Sequence, residues 1–174
     1  MHPISKHPAL DLANKQGFVC ARELALVGAA GGTLQQLLKT GSLVKVGRGV
    51  YAPAGRKPTE LDDLGVIAIK YPRLVFCLLT AVQLPGLTTQ SPHDVCVAVG
   101  QKARAPNIEY PPLHVVRMSD VDYGTKTVSV DGAVRIPVTD VAKSIADCFK
   151  SRNKIGLDVA LEAQIIRQYR QIKL

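Results

Sequence analysis

Residues 33–53, TLQQLLKTGSLVKVGRGVYAP, decide the fold of the N-terminal part of the chain. We expect a helix that begins with Thr33 as its cap and runs to about Thr40. A leucine stripe at helical spacing marks the face that turns inward: Leu34, Leu37 and Leu38. Gly41 is expected to end the helix, because glycine readily adopts the left-handed backbone that closes a helix.

A basic hairpin is predicted directly after this helix. Leu43–Val46 and Val50–Ala52 are rich in valine and are expected to form two strands, joined by Gly47-Arg48-Gly49. A glycine on each side of Arg48 lets the backbone approach another molecule closely. Such a hairpin is typical of the wing of a winged helix-turn-helix domain.

Two shorter helices are predicted before this stretch. Pro8–Lys15 and Ala21–Val27 have apolar residues at helical spacing, and Gly28–Gly32 forms a tight turn in front of the third helix. Three short helices, a glycine turn and a basic hairpin together predict a winged helix-turn-helix domain over residues 1–57. In that domain the third helix enters the major groove of DNA.

Positive charge is concentrated in the same segment. The formal net charge is +8, and residues 1–57 carry eight Lys or Arg against two acidic residues, whereas residues 58–174 carry fourteen against twelve. Basic side chains near phosphates release condensed counterions and so favour a polyanionic partner. Basic surfaces also occur in proteins that never touch DNA, so the charge supports the fold-based prediction without replacing it.

The outward side chains of the third helix and the wing are the predicted DNA contacts: Thr33, Gln35, Gln36, Lys39, Lys45 and Arg48. Glutamine amides can bond adenine edges, and Lys39 can reach guanine or a phosphate. Lys45 and Arg48 suit the DNA backbone or a narrow minor groove. The alternative for the two glutamines is an ordinary solvated helix face.

The remaining residues, 58–174, predict a mixed α+β domain behind a linker at Gly55–Pro58. Helices are expected over Glu60–Tyr71, Leu74–Leu84, Asp140–Lys150 and Leu157–Tyr169. Valine-rich strands are expected over Asp94–Val99, Leu113–Met118, Thr127–Val130 and Val134–Ile136, with Asp131-Gly132 as a hairpin turn. The fold class of the whole chain is therefore α+β.

Several classes of protein find no support in the sequence. The longest apolar run, Leu74–Val82, falls short of the roughly 20 residues that span a bilayer. Residues 1–9 lack the apolar core of a signal peptide, so a cytoplasmic protein is expected. The four cysteines are widely separated and are expected to be buried thiols, and no metal site or cofactor is predicted. His93 and His114 have no nucleophile or carboxylate at a recognisable spacing, so no catalytic residue is predicted.

A charged run near the C-terminus has two interpretations. Asp147, Lys150, Arg152, Lys154 and Asp158 could form salt bridges between neighbouring helix ends. Alternatively, the three cations form a basic surface that meets RNA, a nucleotide or a protein. A polar turn could line the same surface through Thr88, Thr89 and Gln90.

The sequence resembles the AbiEi antitoxins of type IV toxin-antitoxin modules over nearly its whole length. The resemblance begins with LVKVGRGVYAP (Leu43–Pro53), which many winged domains share. Three further stretches are similar to the C-terminal antitoxin domain of that family: FCLLTAVQLPGLTTQSP (Phe76–Pro92), YPPLHVVRMS (Tyr110–Ser119) and VAKSIADCFKSRNKIGLDVALEA (Val141–Ala163). The chain departs from the family's pattern at Pro85 and Cys96, where His and Trp are frequent.

The resemblance implies a DNA-binding autorepressor whose C-terminal domain counters a nucleotidyltransferase-like toxin, without a requirement for stable contact between the two proteins. The DNA partner would then be the operator of its own operon, and the antitoxin surface would include the six polar and basic residues of the turn and the charged run. One alternative is a winged-helix regulator whose C-terminal domain senses a small ligand. Another is a metal-dependent nuclease or nucleotidyltransferase, which is disfavoured because the acidic residues are scattered.

Overall fold

The computed structural model describes residues 7–130 and 134–172. The chain is a mixed α+β protein that divides into two compact units, and both contain helices and strands. Within the described residues, no helix combines the length and the apolar character needed to cross a bilayer. The predicted α+β class agrees with this architecture. The turn predicted at Asp131-Gly132 lies outside the described residues.

The first unit contains the N-terminal helices and a small antiparallel sheet. Its elements in chain order are α1 (Pro8–Gln16), β1 (Val19–Cys20), α2 (Ala21–Leu26), α3 (Gly32–Lys39), β2 (Leu43–Gly47), β3 (Val50–Pro53) and α4 (Asp62–Lys70). The strands are ordered β1-β3-β2, so the short β1 pairs with β3 and extends the β2–β3 hairpin. The predicted helices and hairpin strands of residues 8–53 are present with shifts of a residue or two at their ends.

Local hydrogen bonds explain where α1 begins and ends and where α2 begins. Nδ1 of His7 accepts a hydrogen bond from the amide of Ala9 at 3.1 Å, and Pro8 follows as a first helical residue. Gly17, at a φ of +75°, closes α1 by donating its amide to the carbonyl of Ala13. At the start of α2 the carboxylate of Glu23 accepts the amide of Cys20 at 2.8 Å. Helix-terminal donors that would otherwise be unpaired are satisfied in this way.

The core of the first unit is formed by small and branched apolar side chains from α1, α2, α3 and the sheet: Ala9, Ala13, Val19, Leu24, Ala29, Leu37 and Leu43. Each of these side chains is almost fully removed from solvent. Burial of a leucine or valine side chain contributes about 1.5–3 kcal/mol. Packing of this cluster therefore holds the three short helices together, since helices of six to nine residues are marginal alone.

Helix α4 belongs to the first unit and packs on it through Gly65. A Cβ built on Gly65 would lie 2.6 Å from Cε2 and 2.8 Å from Cδ2 of Phe18. Phe18 is fully buried, and the guanidinium carbon of Arg56 lies 4.2 Å from the centre of its ring on the same unit. The absence of a side chain at residue 65 is what lets α4 approach this ring.

The second unit is built around most of a five-stranded sheet. The elements that follow α4 are β4 (Val75–Phe76), α5 (Leu78–Gln83), β5 (Val95–Gly100), β6 (Leu113–Met118), β7 (Thr125–Val130), β8 (Val134–Thr139), α6 (Val141–Lys150), α7 (Arg152–Ile155) and α8 (Leu157–Ile172). All belong to the second unit except residues 129–130 of β7 and 134–136 of β8, which belong to the first. The strand order is β6-β5-β4-β8-β7. β5 and β6 pair in parallel, β4 and β8 pair in parallel, and β4 and β5 pair antiparallel, so the sheet is mixed.

The helix predicted over Leu74–Leu84 is wrong in its first part. Val75 and Phe76 form the central strand β4, and only Leu78–Gln83 is helical. The run is apolar on all sides, and such a run does not distinguish a buried strand from a buried helix by periodicity. Pairing of Val75 with Ala98 and of Phe76 with Val138 decides in favour of the strand.

The core of the second unit lies between the sheet and the helices α5, α6 and α8. It contains three cysteines, Cys77, Cys96 and Cys148, among aliphatic side chains. Burial, as the largest cause, raises the pKa of the Cys148 thiol to about 12 and also raises the pKa of Cys77 and of Cys96. All four cysteines are free thiols, and only Cys20 is partly exposed. The prediction of buried thiols thus holds for these three.

The compact units divide the chain at a different place from the boundary predicted at residues 57 and 58. The first unit comprises residues 1–72 and 129–136, and the second comprises residues 73–128 and 137–174. The predicted linker Gly55–Pro58 contains neither helix nor strand, but Arg56 and α4 join the first unit. The boundary near residue 57 concerns segments that fold independently, whereas the two units are defined by how closely residues pack. The predicted boundary therefore stays a prediction.

Candidate nucleic-acid interface

Helix α3 and its cap lie two residues earlier than the sequence indicates. Gly31, at a φ of +52°, occupies the cap position, and the helix starts at Gly32. The prediction that Thr33 caps the helix is therefore wrong, because no side chain caps this end. Thr33 lies in the first turn, half-buried, and its amide donates to the carbonyl of Ala30 at 3.2 Å.

The two sides of α3 differ as the leucine stripe predicts. Leu37 is 2% exposed in the first core, and Leu34 and Leu38 pack partly buried against that core. On the other side Gln35, Gln36 and Lys39 are exposed. The helix therefore presents two amides and one ammonium group to solvent over little more than one turn.

The end of α3 is fixed by a tight turn that leads directly into the β2–β3 hairpin. The amide of Ser42 donates to the carbonyl of Leu37 at 3.0 Å, and Gly41 supplies the positive φ of +67° that this geometry requires. The hydroxyl of Thr40 also donates to the carbonyl of Leu37, at 3.2 Å. Backbone geometry and the Thr40 hydroxyl thus fix how the chain passes from α3 into the hairpin.

The β2–β3 hairpin is closed by a two-residue turn rather than by the predicted three-residue link. Gly47 is the last residue of β2 and pairs with Val50, so only Arg48 and Gly49 connect the strands. The register shifts between Lys45 and Gly47, which is the sign of a β-bulge that twists the end of the hairpin. Gly49 has a φ of +74°, and the side chain of Arg48 is exposed at the tip.

The six predicted DNA contacts share one property: within residues 7–130 and 134–172, none of their side chains makes a hydrogen bond or an ion pair. They are Thr33, Gln35, Gln36, Lys39, Lys45 and Arg48. Five are exposed and Thr33 is half-buried. A partner molecule can engage these groups without first breaking an internal bond.

Arg56 is a basic residue of the same segment that behaves differently. Its guanidinium lies 2.6 Å from the carboxylate of Asp62 and covers the ring of Phe18, and its side chain is 14% exposed. Burial alone would raise the pKa of Asp62, but hydrogen bonds from Arg56 and Thr59 and the Arg56 charge lower it. Arg56 therefore adds to the formal charge of this segment, but its guanidinium is engaged by Asp62 at the start of α4 and by the ring of Phe18.

The polar turn predicted as part of an antitoxin surface is bound to α8. The hydroxyl of Thr88 donates to Glu162 at 2.6 Å, the hydroxyl of Thr89 donates to the same carboxylate at 2.7 Å, and the amide of Thr89 does so at 3.0 Å. Gln90 donates its amide nitrogen to Asp158 at 2.5 Å. The three hydrogen bonds from Thr88 and Thr89 lower the pKa of Glu162, and the Thr88 bond is the largest cause. The polar groups of the turn are thus engaged by the carboxylates of Glu162 and Asp158 on α8.

The basic half of that predicted surface lies at the end of α6 and on α7. Lys150, Arg152 and Lys154 are exposed, and Arg152 donates to the carbonyl of Phe149 at 3.1 Å. No hydrogen bond joins these three to the Thr88–Gln90 turn in the described part of the chain. The salt-bridge interpretation of the charged run is not realised either, since Asp147 pairs with Lys143 at 2.9 Å.

A cleft of about 320 Å³ on the second unit brings together residues that are distant in sequence. It is lined by Gln101, Val116, Arg117, Met118, Ser119, Asp120, Tyr123, Lys143, Asp147, Lys150 and Ser151. Sequence reasoning selected only Lys150 and Asp147 among them. This site forms because β5 pairs in parallel with β6 and α6 lies beside them. The spacing of residues in the sequence does not predict it.

Clusters of side chains that could bind a metal would consist of His, Cys, Asp and Glu residues within the described ranges. Among the residues that the structure describes, no group of three or more His, Cys, Asp or Glu side chains could hold a metal ion. Asp62 and Asp63 are adjacent, but Asp62 is engaged with Arg56, and burial together with the Asp62 charge raises the pKa of Asp63.

Comparison with known proteins gives little further information. No family model matches the chain, and no curated protein matches it. Among solved structures, the chain is similar to the RV2827C protein from Mycobacterium tuberculosis, with a TM-score of 0.47 and 17% identity over 92% of this chain and 54% of that one. This chain spans about half the length of that protein. A likeness this distant carries no argument about function.

Proposed function

We propose that this chain is a DNA-binding transcriptional autorepressor and the antitoxin of a type IV, AbiE-like toxin-antitoxin module. The observation that carries the DNA-binding part is the unpartnered face of α3 and the wing, where amides and cations stand exposed beside a backbone fixed by two turns. DNA binding needs such groups to be available for phosphates and base edges.

The order of elements supports a winged helix-turn-helix over residues 8–53. Three helices, a short strand between the first two and a hairpin after the third follow one another in that domain. The third helix reads the major groove in such domains, and the hairpin contacts the flanking backbone. In this chain α3 and the β2–β3 hairpin hold those positions, and a core of apolar side chains lies beneath them.

The side chains divide by chemistry into two roles. Gln35 and Gln36 on α3 can bond adenine bidentately, and Lys39 reaches guanine acceptors or a phosphate. Arg48 at the wing tip and Lys45 on β2 meet phosphates or a narrow minor groove. The helix therefore supplies sequence preference, and the wing supplies affinity that depends little on sequence.

The test is selection of preferred sequences from a random duplex pool, followed by affinity measurements on the DNA upstream of the gene. Gln36→Ala should change the base preferred at one or two positions, whereas Lys45→Ala should weaken every sequence to a similar extent. The contrary finding is a Gln36→Ala protein that selects the same bases as wild type with unchanged affinity.

The antitoxin part of the proposal rests on the sequence resemblance of Phe76–Pro92, Tyr110–Ser119 and Val141–Ala163. Its functional partner would be a nucleotidyltransferase-like protein encoded next to this gene, with or without stable contact. Co-expression of the full chain with the adjacent gene product should restore growth, and Arg48→Ala should leave that rescue intact while relieving repression. Growth arrest that the full chain fails to relieve would remove the antitoxin assignment and leave the regulator.

A second candidate function is a winged-helix regulator that senses a small ligand and has no toxin partner. The cleft on the second unit favours it, because its volume of about 320 Å³ lies at the lower end of small-molecule sites. The neighbouring gene distinguishes the two: a nucleotidyltransferase-like reading frame favours the antitoxin, and its absence favours the sensor.

A further inference from the structure

We propose that the cleft on the second unit binds a nucleoside phosphate. The inference is independent of the DNA-binding proposal, because every residue that lines the cleft belongs to the second unit. A mononucleotide presents an aromatic base, sugar hydroxyls and phosphates in one ligand. The cleft offers a matching group for each.

Cations outnumber carboxylates around the cleft. Arg117 comes from β6, and Lys143 and Lys150 come from α6, two turns apart on the same side of the helix. The two carboxylates are Asp120 and Asp147, and Lys143 already neutralises Asp147 at 2.9 Å. The remaining excess of positive charge favours an anionic ligand.

The three cations differ in whether internal hydrogen bonds or ion pairs already engage them. One terminal nitrogen of Arg117, Nη1, donates to the carbonyls of Gln101 and Ala103 at 2.9 and 2.8 Å, so Arg117 is fixed at the β5–β6 side. Lys143 is held by Asp147. Lys150 is exposed and makes no hydrogen bond or ion pair with any residue in the ranges 7–130 and 134–172. A phosphate can therefore bind Lys150 without first breaking an internal hydrogen bond or ion pair.

An aromatic ring stands at the same cleft. Tyr123 is 73% exposed, and its amide donates to the carboxylate of Asp120 at 3.1 Å, which orders the turn that carries the ring. Exposed aromatic rings stack on nucleobases, and the stack adds affinity whichever base is present. The ring therefore distinguishes a nucleotide from a simple inorganic anion.

Polar and apolar groups complete the lining. The hydroxyls of Ser119 and Ser151, the amide of Gln101 and the carboxylate of Asp120 can bond sugar hydroxyls or the polar edge of a base. Val116 and Met118 supply apolar surface. Ligand sites commonly combine apolar lining with a few convergent polar groups.

The test uses the purified full chain and isothermal titration calorimetry with ATP, GTP, CTP and UTP in turn. Pyrophosphate and adenosine serve as partial ligands. At least one triphosphate should bind, and more tightly than pyrophosphate or adenosine. Lys150→Ala should raise its Kd about tenfold, since a charge-assisted hydrogen bond to phosphate is lost. Tyr123→Ala should raise Kd about fivefold or more, while Tyr123→Phe, which keeps the ring, should stay within about twofold.

Lys154→Ala is the matched control, because Lys154 is an exposed lysine nearby on α7 that does not line the cleft. This variant should bind as wild type does. Three results overturn the proposal: no binding of any of the four triphosphates up to about 5 mM, binding that Lys150→Ala and Tyr123→Ala leave unchanged, or pyrophosphate that binds as tightly as the best nucleotide. The substituted side chains are exposed, so thermal unfolding of each variant should match wild type and separate loss of binding from loss of fold.

Discussion

Replacing Gly65 by alanine should change stability through two effects of opposite sign, helix propensity and packing, and the structure shows which is larger. Gly65 lies within α4, where alanine is favoured over glycine by about 1 kcal/mol in helix propensity. The added methyl, however, would lie 2.6 and 2.8 Å from two carbons of the Phe18 ring and 3.1 Å from Cγ1 of Val134. These distances are shorter than packed carbon atoms allow.

The packing effect should win. The ring of Phe18 is fully buried and covered by Arg56, so it cannot swing into solvent to make room. Overpacking of a tight core costs about 1–3 kcal/mol, and two contacts below 3 Å place this site in the upper half of that range. After the propensity gain, we expect Gly65→Ala to lower the free energy of unfolding of the first unit by about 1–2 kcal/mol.

Urea unfolding followed by far-ultraviolet circular dichroism measures this change, since the chain contains no tryptophan. Gly32→Ala is the matched control, because a Cβ there meets nothing within 4 Å and its effect should stay within about 0.5 kcal/mol. In a double-mutant cycle, Phe18→Leu should reduce the cost of Gly65→Ala. A Gly65→Ala protein that is more stable than wild type would refute the close approach of α4 to Phe18.

Three further predictions concern helix ends, pH and thiols. Asp140→Ala should destabilise the second unit by about 1 kcal/mol in urea titrations, because its carboxylate caps α6 by accepting the amide of Lys143 at 2.8 Å. Glu162→Gln should lower Tm at neutral pH, and the difference in Tm from wild type should shrink as pH falls below 4.5. Hydrogen bonds lower the pKa of Glu162 in the folded chain, so the ionised carboxylate stabilises the fold above its ordinary pKa and this contribution is lost in acid. A difference in Tm that is independent of pH would contradict this. With a thiol reagent at neutral pH, Cys20 should react in the native protein, and three buried thiols should react only after unfolding: Cys77, Cys96 and Cys148.

Local patterns in the sequence were sufficient for most elements of residues 8–53. The leucines of α3 identify its inward side, and Gly17 and Gly41 mark helix ends because both adopt positive φ. The start of α3 was misplaced, since a glycine turn can close the helix end without the side-chain cap that Thr33 would have supplied. Solvent exposure of Gln35, Gln36 and Lys39 follows from the same periodicity.

Features that depend on contacts across the chain could not be read from local patterns. The strand identity of Val75–Phe76 is decided by pairing with β5 and β8, and the clamp on Glu162 joins residues that lie far apart in sequence. The charge count of residues 1–57 includes Arg56, but contacts with Asp62 and Phe18 across the fold engage its guanidinium. The cleft around Lys150 likewise needs β6 and α6 to meet.

The central claim is that α3 and the wing bind duplex DNA, and the salt dependence of affinity tests it most directly. Fluorescence anisotropy on the upstream DNA, over a series of salt concentrations, compares wild type with Arg48→Ala and with Arg104→Ala, which removes an exposed arginine of the second unit. We predict that Arg48→Ala weakens binding and flattens the slope of log Kd against log salt by about one, while Arg104→Ala changes neither. Equal slopes for wild type and Arg48→Ala, or a wild-type chain that binds no DNA at low salt, would contradict the account.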